Sequence, residues 1–188
     1  MTGTAIRIRD CALYYIPLET RTPLKFGRSV VRELESLRVE MTVETAGGNI
    51  HHGWGETPLN VAWAWPEAGA PGGSHPGIRS LCSRIAREWR GLDAAGSALE
   101  LGAAFLDGVL PDIWQAARGE PETGGVPWQA VLLCAAAFDL ALHDAFGKAE
   151  GLPTYRTYNA DYLGSDLSAY FADEARRFRG KYPADYVR

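Results

Sequence analysis

Cysteine is scarce in this 188-residue chain, which has only Cys11, Cys82 and Cys134. Widely separated and odd in number, they form neither a disulfide framework nor a Cys-x-x-Cys metal pattern, and a reducing cytoplasm suits them. The formal charge is only −4, so there is no electrostatic case for nucleic-acid binding. The first ten residues lack the apolar core of a signal peptide. No run of about eighteen apolar residues stands out as a bilayer span. What is present is ordinary: 46 % hydrophobic and 22 % charged residues. Such proportions exclude a largely disordered, collagen-like or multi-span membrane chain. The length suits one sizeable domain or two small ones. The expectation is a soluble cytoplasmic protein with neither nucleic acid nor membrane as partner.

The first sixty residues read as β structure. A first strand runs from Ile6 through Leu13, Tyr14, Tyr15 and Ile16 and stops at Pro17. In a second, Leu37, Val39, Met41 and Val43 alternate with Arg38, Glu40, Thr42 and Glu44, the period of a strand with one buried face. Ala46-Gly47-Gly48-Asn49 suits a tight reversal, and a third strand follows from Ile50 to about Glu56, ending at Pro58. The stretch from Pro17 to Arg28 carries two prolines and a glycine without regular period, and reads as a long, functional loop. A second irregular connection spans Ala62 to Pro76.

Helices take over beyond it. Ile78, Leu81, Ile85 and Trp89 follow an amphipathic stripe. Ser97-Ala98-Leu99-Glu100 fits a capping box opening a helix through Leu101, Ala104 and Phe105. After a turn-rich break, Pro127 stands at a first helical position. From Trp128 to Glu150 the sequence is apolar nearly all round, as in a helix central to a bundle, and Gly151 and Pro153 end it. The polar tail from Tyr155 holds six of the eight tyrosines and a short helix near 173–178. It stops as if cut short. The fold class expected is α+β: a three-stranded antiparallel meander, a three- to four-helix bundle and an irregular C-terminal tail.

Three segments carry a family resemblance. They are Ile16-Pro17-Leu18 through Lys25-Phe26-Gly27, Gly53-Trp54-Gly55-Glu56-Thr57-Pro58, and Ala136-Ala137-Phe138-Asp139-Leu140-Ala141-Leu142-His143-Asp144-Ala145-Phe146-Gly147-Lys148 followed by Gly151-Leu152-Pro153. In order and spacing they resemble the N-terminal capping domain of the enolase superfamily, in its mandelate racemase and muconate lactonizing enzyme branch. The resemblance covers residues 1–154, with 155–188 a tyrosine-rich tail leading toward a barrel domain.

The resemblance implies proton abstraction α to a carboxylate, with Mg2+ stabilising the enediolate in a full-length isomerase or lyase. Charge must be neutralised where it develops on the oxygens. In the family those groups sit on a C-terminal barrel, including a Lys-x-Lys pair. Here lysine occurs only at Lys25, Lys148 and Lys181. A barrel needs about 200 residues or more, whereas 33 residues follow Tyr155. No catalytic residue, metal ligand or bound cofactor is therefore expected on this chain alone. Its expected partners are its own barrel, the small carboxylate substrate that barrel would take, and further copies of itself.

The loop after the first strand covers the barrel mouth in the family, which makes Thr22, Leu24 and Phe26 candidates for capping the substrate; the other reading tucks that loop onto its own sheet. Trp54, Glu56 and Thr57 follow glycines that permit close backbone approach. Glu56 stands either near an active-site mouth or as a strand-end carboxylate bonded to backbone amides. His51 and His52 are adjacent on a strand, face opposite ways and cannot grip one metal. His75 reads as a loop residue. Asp139 and His143 share a helix face, while Asp139 and Asp144 lie about 140° apart and read as structural anchors. Trp89, Trp114 and Trp128 read as core, and Trp63 and Trp65 as candidates for packing on a partner. Two functions are open: the capping portion of such an enzyme, catalytically silent alone, or a stand-alone binding or oligomerisation module.

Overall fold

The computed structural model describes residues 4–26, 29–68, 75–171 and 174–186. Its first third is an antiparallel meander in the order β1 (Ile6–Phe26), β2 (Ser29–Thr45) and β3 (Ile50–Pro58). The alternation of β2 decides which face is covered. Leu37, Val39, Met41 and Val43 are wholly buried, while Arg38, Glu40, Thr42 and Glu44 line the other face. Gly48, at φ 80°, supplies the left-handed residue of the β2–β3 reversal.

The first hairpin is longer than the sequence suggests. Pro17 does not end β1 and the stretch after it is not a loop: pairing continues through Glu19↔Glu33, skips residues 20–23, and resumes at Leu24↔Val31. β1 is an edge strand, where the missing proline N–H is tolerated. The arm has no covered face of its own along much of its length; Leu18, Leu24 and Val30 are exposed. Gly27 and Arg28, at its turn, lie outside the described residues.

The helices follow as α1 (Val61–Ala64), α2 (Pro76–Gly91), α3 (Ala98–Ala104), α4 (Leu110–Arg118), α5 (Trp128–Ala149) and the short α6 (Ala175–Phe178). His75 is not a simple loop residue: its Nδ1 accepts from the Gly77 N–H at 3.2 Å and caps α2. The Ser97–Glu100 capping box forms at the start of α3. The helix it opens is interrupted by a π turn at Phe105–Val109, where the Leu110 N–H reaches back to the Phe105 carbonyl. Pro111 explains the change of period, since it has no N–H to give the Asp107 carbonyl. Trp89 and Phe105 stack beneath it, centroids 3.9 Å apart. Trp65 is buried in the core of its own chain, whereas Trp63 is half exposed.

α5 is the central element and lies against β3 backbone to backbone. A Cβ added at Gly53 would stand 2.1 Å from the Ala141 carbonyl oxygen, and one at Gly55 2.1 Å from that of Ala137. Only glycine on the strand and alanine on the helix allow this approach. The sequence offers no uninterrupted apolar run, yet α5 is long and apolar enough by length and composition to cross a membrane; 56 % of its most apolar window is buried within this fold. Ala137, Phe138, Ala141, Leu142, Ala145 and Phe146 are fully buried, as expected of a core helix. Gly151, at φ 67°, ends it. The tail is tied to α5 by Thr154 Oγ1, which donates to the His143 carbonyl at 2.7 Å, and by the Tyr158 hydroxyl, 2.9 Å from His143 Nδ1, and within the tail the Gly180 N–H donates to Asp166 at 2.6 Å.

Candidate functional site

β3 divides its own candidates between the two faces of the sheet. Trp54 and Glu56 point to the face without helices, whereas Thr57 is buried on the helix side. On the open face a shallow pocket of about 370 Å³ is lined by Arg38, Trp54, Gly55 and Glu56. Tyr14 extends its wall, with its ring 5.8 Å from that of Trp54 and its hydroxyl 3.4 Å from Glu40. Arg38, Tyr14 and Ser36 belong to this cluster but were not singled out from the sequence. The alternation of β2 placed Arg38 on the wet face; only the register, with Arg38 opposite Glu56, brings the pair together.

Glu56 is bound by side chains rather than backbone amides. It accepts from Ser36 Oγ and Arg38 Nε, both at 2.8 Å, and lies 2.7 Å from Arg38 Nη2. The Arg38 and Ser36 hydrogen bonds hold its carboxyl below the ordinary 4.5, so it is ionised and its oxygens are occupied. This arrangement positions a guanidinium and an exposed indole; it does not offer a free base. Trp54 is fixed from behind, because its backbone N–H donates to Asp144 at 2.7 Å and Lys148 Nζ donates to the same oxygen at 2.7 Å. That bond also occupies an outward N–H of an edge strand.

The arm residues form a separate group. Thr22 lies in the unpaired stretch and is exposed. Leu24 is 45 % exposed opposite Val31. Phe26 pairs with Ser29 through its backbone, and its side chain lies outside the described residues. Val31 and Arg38 mark the two groups on β2, seven residues or roughly 23 Å apart at the rise of a strand. The fold therefore does not gather the arm and the β3 residues into one pocket.

The histidines do not converge on one point. His52 Nδ1 lies 3.1 Å from Thr42 Oγ1 and 3.5 Å from Glu40, while His51 faces the helix side. His143 Nδ1 meets the Tyr158 hydroxyl at 2.9 Å, and Nε2 lies 3.7 Å from Asp139. Burial pushes His143 below its ordinary 6.5, with Asp139 pulling the other way, and burial pushes Tyr158 up to about 12. Burial thus keeps the phenol protonated and the imidazole neutral, and the two share one hydrogen bond.

These residues do not fit Mg2+. The ion needs several oxygen ligands in near-octahedral array, and among the described residues no group of three or more His, Cys, Asp or Glu side chains converges. Glu56, Asp144 and Asp10 are each taken up by a cation or a backbone donor.

This fold resembles part of several known structures. No protein-family model matches the chain, and no curated protein sequence matches it. Among solved structures, the dipeptide epimerase from Enterococcus faecalis V583, complexed with Mg and L-Leu-L-Tyr, is 16 % identical with a TM-score of 0.50. The match covers 82 % of this chain and 35 % of that one. The L-Ala-D/L-Glu epimerase from Bacillus subtilis is 19 % identical at TM-score 0.46, over 81 % and 34 % of the two chains. A mandelate racemase/muconate lactonizing enzyme-like protein from Rubrobacter xylanophilus is 17 % identical at TM-score 0.40, over 81 % and 33 %. The likeness is one of fold, and the first of these carries it. The chain spans about a third of the length of these structures.

Proposed function

We propose that this chain is the capping portion of a Mg2+-dependent enolase-superfamily enzyme of the mandelate racemase and muconate lactonizing branch. The reaction class is an isomerase or lyase step begun by removing the proton α to a carboxylate. The observation that carries this reading is the likeness of fold over most of this chain and about a third of the epimerase. It adds to the three motif segments in their order along the sequence. The chain's share of the work is substrate selection and exclusion of water, through the arm at Thr22, Leu24 and Phe26 and through Trp54 and Glu56 on the open face of the sheet, with Thr57 as a buried support behind them. Base, metal ligands and Mg2+ belong to a barrel partner, and homo-oligomers are expected of the whole. The buried free thiols of Cys11, Cys82 and Cys134 support a reducing, cytoplasmic setting.

The test is α-proton exchange. The 188-residue chain, incubated in D2O with Mg2+ and small carboxylates including dipeptides, exchanges no α-proton; Mg2+-dependent exchange by this chain alone overturns the division of labour. The intact mass of the native protein is expected well above 20.5 kDa. A stable native species at that mass instead supports the stand-alone module.

A further inference from the structure

On the side of α5 away from β3 lies a groove of about 350 Å³, between α5 and the α3–π–α4 segment. Its volume is at the small end of the range for small-molecule sites. Its floor and walls are apolar, and its only ionisable liners, Asp139 and His143, sit together. The π turn shapes one wall, sending Phe105 into the core at 2 % exposure and leaving Leu106 outside at 42 %. Gly102 faces the carboxylate, where an added Cβ would stand 2.9 Å from Asp139 Oδ1.

The charge of the groove is uncompensated. Asp139 is more than half exposed, and its one ionic neighbour among the described residues is His143 at 3.7 Å, too far for a hydrogen bond. His143 is kept neutral by burial and is already bound to Tyr158. A single carboxylate beside an apolar trough, with no cation among the described residues paired to it, matches a ligand of the complementary pattern. We propose that this groove binds a small apolar ammonium compound, its hydrocarbon body on Leu99, Leu106 and Leu132 and its charged head on Asp139. The site stands apart from the open face of the sheet.

The test uses the full chain and n-octylammonium, with 1-octanol and octanoate as equal-length probes. Titration followed by amide NMR shifts is expected to give saturable changes confined to α5 around Ala135–His143 and to the π turn. Affinity for octylammonium is expected to exceed that for octanol by about threefold, as an ion pair to a half-exposed carboxylate allows, with octanoate weaker still. Asp139→Asn removes the preference while leaving octanol binding in place, and Leu132→Trp, at a part-exposed position, fills the trough and removes both. Equal binding of octanol and octylammonium, an unchanged preference in Asp139→Asn, or no shifts in a natively folded sample each overturns the proposal.

Discussion

Replacing Gly55 by alanine tests the closest contact in the fold. The new Cβ would stand 2.1 Å from the Ala137 carbonyl oxygen, 2.5 Å from the Ala141 nitrogen and 2.8 Å from the Leu140 Cβ, whereas real Cβ contacts essentially never fall below 3.0 Å. Two of these atoms belong to the backbone of α5, so no rotamer change relieves the clash. Strand and helix must separate by roughly 1 Å, a gap that forfeits a quarter to a half of the dispersion between facing atoms. Overpacking costs about 1–3 kcal/mol where side chains can adjust, and a backbone clash belongs at or above the top of that range. A loss of about 3 kcal/mol lowers Tm by roughly 6–12 °C for a chain of this size.

The assay is thermal unfolding by far-UV circular dichroism, with guanidinium titration for the free energy. Gly91→Ala is the matched control: its added methyl meets nothing within 4 Å at the end of α2. Higher helix propensity should leave it unchanged or stabilise it by up to about 1 kcal/mol. A Gly55→Ala protein melting within about 2 °C of the parent would refute the backbone-to-backbone packing of α5 on β3 and the role assigned to the Gly-Trp-Gly sequence.

Three other changes probe the supports of the candidate residues. Asp144→Ala deprives the Trp54 N–H of its acceptor and is expected to cost about 1–2 kcal/mol; hydrogen exchange at Trp54 should accelerate, and unchanged protection would refute the anchor. Arg79→Ala leaves the Glu35 carboxylate, only 8 % exposed, without the guanidinium that grips it. Because Arg79 is itself half exposed, the cost is set at about 2 kcal/mol rather than the 3–5 of a fully buried pair, read by denaturant titration, and Glu35→Gln in the same background should recover part of it. The third change concerns pH. His143 protonates less readily in the fold than at its ordinary 6.5, so between 6.5 and its lower folded value the unfolded chain holds the extra proton. Stability then falls as pH drops through that window. His143→Gln should flatten the dependence of Tm between about pH 7 and 5; an unchanged slope would place the buried proton-refusing group elsewhere.

What was legible in the sequence and what was not divides along whether a segment buries one face. β2 shows its alternation because Leu37 to Val43 are wholly covered while Arg38 to Glu44 are not, and α2 shows its stripe for the same reason. The arm at Pro17–Phe26 shows none, because Leu18, Leu24 and Val30 are exposed and no core imposes a period on the chain. Its strand character comes from pairing with β2, a non-local contact that proline and glycine content argued against. The Gly-Trp-Gly sequence announced a close approach, and α5 is what approaches. The Arg38–Glu56 pair was hidden by register, since a shift of one residue would put Glu56 on the opposite face. The π turn was legible in principle, as Pro111 removes one helical hydrogen bond. Its consequence was not, because the groove needs α5 as its second wall. Asp139 and His143 were visible as neighbours on one helix face, but their separation from every cation among the described residues is a property of packing alone. A chain-local reading therefore finds the elements and their caps, while the sites arise where register and layer packing bring separate segments together. The same reasoning makes the arm the part of this protein whose conformation its own core determines least. Arm amides should accordingly exchange faster than those of Leu37–Val43 in the same strand, and equal protection along β2 would contradict that conclusion.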